Sequence, residues 1–243
     1  MNTAFISLIP SIIILVLIYR FDIKKEPIKM LLVAFVGGFF AAFIWTNISQ
    51  LIGFSSIDQV NLETHDEVSN RLTHILYNIV KFIGMSAPIE LAKWLAFIIL
   101  IRSSKYFDQY YDGIIYAFCI NIGFNSFDIY SGVLNGRQIE SPIFYGIFFA
   151  PTYSLVAVIM GYFLSLSRFE KNETYLINLL KSLIYPIILN GLFYFLMFAK
   201  FIDPDKPLEN WWITLVYLIF TISLWRFSIN KLKEYANYDK EID

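Results

Sequence analysis

Seven stretches of this chain are long and apolar enough to cross a lipid bilayer: roughly 4–19, 28–52, 72–101, 113–134, 143–165, 175–200 and 211–230. A helix needs ~20 mostly apolar residues to traverse a hydrocarbon core ~30 Å thick. Within that core the backbone must satisfy its own hydrogen bonds, which a helix does segment by segment. Apolar residues fill 57% of the 243 positions and charged residues only 16%, more apolar surface than a soluble domain of this size could hide. The fold class that follows is an all-α integral membrane protein, a polytopic bundle of about seven transmembrane helices. Nineteen basic and twenty acidic side chains nearly cancel, and the one cysteine, Cys119, cannot form an internal disulfide. A disordered chain, a disulfide scaffold and a basic nucleic-acid binder are thereby excluded. The partner implied first is the lipid bilayer.

Breakers such as Asn135-Gly136 and Asp203-Pro204 separate the segments. No connection is long enough for a further domain, so residues 1–243 read as one transmembrane domain. Twelve of the nineteen Lys and Arg residues, Arg20, Lys24, Arg102 and Arg168 among them, collect at one side of the bundle; Arg71, Arg137, Lys200 and Lys206 lie at the other. That asymmetry predicts an outside N-terminus and a cytoplasmic C-terminus in the plasma membrane. The first segment lacks a basic n-region and a small-x-small cleavage site, and reads as a retained helix. Ala34, Gly38 and Ala42, spaced by four, form a small-residue stripe suited to close helix contact.

The informative residues are the polar ones that such surroundings should exclude. A charge at the centre of a span costs about 2.5–3.5 kcal/mol on insertion scales, so it normally faces protein or water. Of the twenty acids only Glu90 and Asp128 lie well inside a predicted span. Lys93 follows Glu90 by three residues on the same helix face, and Gly84 and Pro88 favour a kink beside them. The pair reads either as a neutralised structural ion pair or as part of a functional cavity. Asn121, Asn125 and Asp128 fall at i, i+4 and i+7, one face of the fourth helix, which must turn inward. An interhelical hydrogen-bond network and a functional site explain that stripe equally well. At ~1.5 Å per residue, Glu90, Asp128, Tyr153 and Asn190 all come out ~16–22 Å from the predicted cytoplasmic ends. Four neighbouring helices would thus each place a polar group near one level, with Lys93, Asn121 and Asn125 lining the same cavity.

The motif series resembles the PrsW-type intramembrane proteases, a family related to the CAAX prenyl protease group and described as glutamic or metal-dependent. It runs from Asp22 and Glu26-Pro27 through Ala87-Pro88-Ile89-Glu90-Leu91-Ala92-Lys93, then Phe107-Asp108, Asp112-Gly113 and Gly123-Phe124, to Gly161-Tyr162 and Asn190-Gly191. The resemblance implies cleavage of a membrane-anchored regulator such as an anti-sigma factor. It also implies which positions have changed. The family's adjacent glutamates align with Ile89 and Glu90, and its later glutamate and asparagine with Asp128 and Ile129. Its two histidines align with Tyr153 and Asn190, while the only histidines of this chain, His65 and His74, match no family site.

Peptide hydrolysis in a bilayer needs an activated water and a group that stabilises the oxyanion. Glu90 and Asp128 are the candidate catalytic acids, with Asn190 or Tyr153 as oxyanion donors. Two carboxylates without an imidazole match a catalytic zinc site poorly, so no cofactor is expected. Four changed catalytic positions argue for a pseudoprotease that binds transmembrane segments of partners, a single-pass or anti-sigma-factor-like protein among them. The alternatives are an active glutamic or metal-type peptidase with an altered site, and a transporter or channel.

Overall fold

In a computed structural model, residues 6, 8–52, 71–135, 150–170, 174–199 and 211–242 are described, and they form seven helices with no strand among them. These are α1 (Ile9–Phe21), α2 (Ile28–Leu51), α3 (Arg71–Leu100), α4 (Tyr110–Leu134), α5 (Ala150–Phe169), α6 (Tyr175–Ala199) and α7 (Trp211–Ile242). The bundle of seven expected from the apolar segments is present. Segments 4–19, 143–165 and, at its last residue, 175–200 fall partly outside the described residues. Among those described, four helices are long and apolar enough to cross a membrane: Ile28–Leu51, Leu76–Leu100, Tyr175–Met197 and Thr214–Lys240.

Of the three described helices that miss that standard, α4 is the central one. Every residue from Tyr111 to Phe124 is buried. A helix enclosed by other helices need not be apolar toward lipid, so α4 can carry Asp112, Asn121 and Asp128. Its N-terminus is fixed by a capping box in which Gln109 and Asp112 exchange side-chain and backbone hydrogen bonds.

Close packing in a membrane relies on small residues at the seams, because lipid tails remove the usual gain from burying apolar groups. The stripe Ala34, Gly38 and Ala42 is the buried face of α2. A Cβ on Gly38 would lie 1.9 Å from the Ile120 carbonyl oxygen, and one on Gly123 would lie 1.9 Å from that of Phe35, so α2 and α4 touch backbone to backbone. On the other side of α4, a Cβ on Gly161 of α5 would come within 2.3 Å of the Gly113 oxygen. Gly191 of α6 meets Ile83 of α3 in the same way, at 2.5 Å from its Cα.

The last helix runs beyond the expected boundary at 230, to Ile242. Its 32 residues amount to ~48 Å, well over the bilayer core. Residues 231, 235 and 239 lie on one face and hold the extension against the bundle. Lys231 Nζ donates to the Tyr162 hydroxyl at 3.1 Å, and the Tyr235 hydroxyl donates to the Tyr162 carbonyl at 3.0 Å. Asp239 accepts from the backbone N–H groups of Tyr110 and Tyr111 at 3.1 and 2.8 Å, capping α4 from outside. Apolar periodicity stops near residue 230, which is why the sequence places the end there.

Candidate functional site

Three helices bring polar side chains together inside the bundle. Glu90 and Lys93 come from α3, Asn121 from α4 and Asn190 from α6, and all four are buried. Lys93 Nζ lies 2.5 Å from Glu90 Oε1, the pairing expected at i, i+3. The same ammonium donates to Asn121 Oδ1 at 3.2 Å and sits 5.7 Å from the centroid of the Phe124 ring. Asn190 Nδ2 donates to Glu90 Oε1 at 2.6 Å. Around this centre the helices are stitched by hydroxyls. Ser86 Oγ reaches the Ile187 carbonyl at 2.6 Å, and Trp94 Nε1 donates to Ser182 Oγ at 2.9 Å. Pro88 in α3 and Pro186 in α6 each interrupt the helical ladder beside these contacts.

The geometry sorts the sequence-derived residues. Glu90, Lys93, Asn121 and Asn190 form one hydrogen-bonded unit. Asn125 and Asp128, one and two turns farther along α4, are half-buried, and the hydrogen bonds of Glu90 go to Lys93 and Asn190 instead. The side chain of Tyr153 lies outside the described residues, as do those of His65 and His74. Three buried atoms of the unit have no hydrogen-bond partner among the described residues: Glu90 Oε2, Asn121 Nδ2 and Asn190 Oδ1.

A catalytic metal of the kind the resemblance implies would need imidazole and carboxylate donors around an open coordination position. Here one carboxylate is joined by two amides, and the Lys93 ammonium occupies the position against Glu90 where a cation would sit. Those residues do not fit a catalytic zinc.

A second polar centre, at the N-terminal end of α4, is not legible from spacing. Glu26, Asp108 and Asp112 each bring one carboxylate oxygen within 4.8 Å of the others. One oxygen of each already has a partner, while Asp112 Oδ1 has none among the described residues. Asp112 Oδ2 accepts from the backbone of Asp108 and Gln109 at 2.8 and 2.6 Å, Tyr116 donates to Glu26, and Lys24 pairs with Asp108. Asp22, at the end of α1, accepts from the Glu26 backbone N–H at 3.2 Å. The motif residues Asp22, Glu26-Pro27 and Asp112 thus tie the α1–α2 turn to the start of α4. The signal for this was present as acids in two separate motif matches, but only the fold brings them together.

Burial pushes the Glu26 carboxyl above its ordinary range, with the Tyr116 hydrogen bond opposing. Burial also raises Asp22 to about 6, opposed by the Glu26 N–H and by Lys25, with Asp239 adding repulsion. A carboxyl whose folded value lies above its unfolded one holds its proton more tightly when folded, so its contribution is present at low pH and lost as pH rises between those values. In detergent, thermal stability is expected to fall as pH rises from about 4 to 6, by on the order of 1–3 kcal/mol from Asp22. Unfolding midpoints across that range should show a flatter profile for Asp22→Asn; an unchanged profile would remove Asp22 as the source.

Comparison with known proteins places the chain. A family profile described as PrsW family intramembrane metalloprotease matches residues 26–225. Similar curated proteins include the Protease PrsW of Bacillus subtilis (strain 168), 28% identical over 158 residues, 64% of this chain and 66% of that protein. The Protease PrsW of Clostridioides difficile (strain 630) is 27% identical over 168 residues, 67% of this chain and 66% of the relative. That of Oceanobacillus iheyensis is 30% identical over 147 residues, 59% and 61% of the two chains. The chain therefore spans just under two thirds of the length of these relatives. No solved structure matches. On a match covering most of its length, and on the motif series that the bundle assembles, this chain belongs to the PrsW family.

Proposed function

We propose that this PrsW-family membrane protein has lost peptide hydrolysis and acts by binding transmembrane segments of partner membrane proteins. The observation that carries the reading is the state of Glu90: Oε1 is held by both the Lys93 ammonium and the Asn190 amide. Those two bonds tie the carboxylate between α3 and α6, which suits a structural ion pair better than a general base that must turn to a water and a scissile carbonyl. Asn190 stands where the resemblance puts a histidine, and Ile89 where it puts a second glutamate. The partner class is a single-pass membrane protein of the anti-sigma-factor kind. The protein sits in the plasma membrane with its N-terminus outside and C-terminus cytoplasmic, as the basic residues at one end of the bundle suggest.

One observation favours an active glutamic peptidase instead. The unpartnered Glu90 Oε2, Asn190 Oδ1 and Asn121 Nδ2 are two acceptors and one donor, which matches in number what one water molecule offers. Reconstitution in liposomes with candidate single-span substrates separates the readings. No fragments are expected from the wild-type chain. Fragments that disappear with Glu90→Gln would overturn the non-catalytic reading, since loss of a general base lowers the rate by about 10²–10⁴.

A further inference from the structure

The seam between α2 and α3 is a lateral groove of about 1010 Å³, floored by Ala41, Ala92 and Ala96, with the Leu100 side chain lying on Gly37, and lined along α2 from Lys29 to Ile48. Its depth is set by those small residues and its rims by larger apolar ones, such as Phe40 and Leu95, which are 56% and 42% exposed. Three features say what fits it. Lys29 to Ile48 measures ~28 Å along the helix, nearly the whole hydrocarbon thickness, whereas a lipid chain reaches about half of it. Lys29 is the one charged residue lining the groove, and it is exposed at one end. The groove also backs onto the polar unit: Ala92 lines it, and the next residue, Lys93, faces Glu90 and Asn121.

We propose that this groove is the lateral docking site for one transmembrane helix of a partner, with small residues along its contact face and a carboxylate that meets Lys29. The inference rests on the partner-binding reading above and gives that reading a location. A full-length apolar groove with small residues on its floor admits a helix backbone closely, as membrane helix pairs require. The carboxylate fixes the direction and depth of the guest, since an ion pair at the edge of the core is lost if the helix slides or inverts.

The probe is a synthetic span of ~20 Leu and Ala residues, with an Ala-x-x-x-Ala stripe, a terminal Glu and an acceptor dye. It is mixed in liposomes with the full chain carrying a donor dye on Leu51→Cys, a position 86% exposed, while the native Cys119 is buried. Saturable energy transfer is expected. Lys29→Glu should weaken it at least ~10-fold, about 1.4 kcal/mol, and a probe ending in Lys should restore it. Leu91→Trp, which fills the groove, should abolish it, whereas Ile219→Trp on the outer face of α7 should not. Transfer unaffected by Lys29→Glu and Leu91→Trp would place the guest elsewhere, overturning the groove while leaving partner binding intact. Loss of transfer on adding an anionic lipid, or transfer only between labelled copies of the chain, would make lipid or a second copy the occupant and overturn the proposal. Cleavage of a docked probe would overturn the non-catalytic reading and leave the groove standing.

Discussion

Lys93→Met is expected to destabilise the protein by about 3–5 kcal/mol, because it strands the Glu90 carboxylate in the interior. Lys93 is the one cation among the groups that Glu90 contacts, and both residues are buried. Removing the ammonium also deprives Asn121 Oδ1 of its donor. The double variant Glu90→Gln/Lys93→Met should recover most of the loss, since neutralising both partners removes the uncompensated charge. Thermal or denaturant unfolding in detergent reads both. A Lys93→Met protein as stable as wild type would show that the pair contributes nothing to the fold. A double variant no better than the single would locate the damage in packing instead.

The second large effect is expected at the α2–α4 seam. Gly123→Val and Gly38→Val each place side-chain carbon 1.9 Å from a backbone oxygen of the facing helix, which cannot rotate aside. Overpacking a well-fitted core costs about 1–3 kcal/mol and occasionally more, and α2 would have to move off α4. Gly84→Ala is the natural control, because nothing lies within 4 Å of a Cβ there. Alanine should be neutral or stabilising by up to ~1 kcal/mol at that helical position. Folded yield and melting temperature in detergent should separate the variants clearly; equal behaviour of Gly123→Val and Gly84→Ala would refute the close approach of the two helices.

What the sequence reveals about this fold depends on whether a signal is local. The spans are legible because apolar runs record contact with lipid, and the Glu90–Lys93 pair because residues three apart share a helix face. The stripe Asn121, Asn125 and Asp128 shares one helix face by its spacing, yet among the described residues Asn121 alone of the three bonds to the Glu90–Lys93 pair. Periodicity fixes a face and says nothing about the angle at which two helices cross, so the face leaves the pocket after one turn. Asn190 carries no local mark as a partner of Glu90; its place comes from the motif resemblance and from a contact across 100 residues. Glu26 and Asp112 meet only because α2 begins beside α4, and the extension of α7 to Ile242 is held by side chains spaced four apart in a polar stretch.

The central claim is that α3, α4 and α6 close on one polar unit around Glu90. A double-mutant cycle across α3 and α6, with Glu90→Gln and Asn190→Leu singly and together, tests it most directly in equilibrium unfolding measurements. Direct contact through a charged hydrogen bond predicts a coupling of about 1–2 kcal/mol between the two sites. Effects that add to within ~0.5 kcal/mol would mean that the two side chains do not meet, and the site built on their meeting would be contradicted.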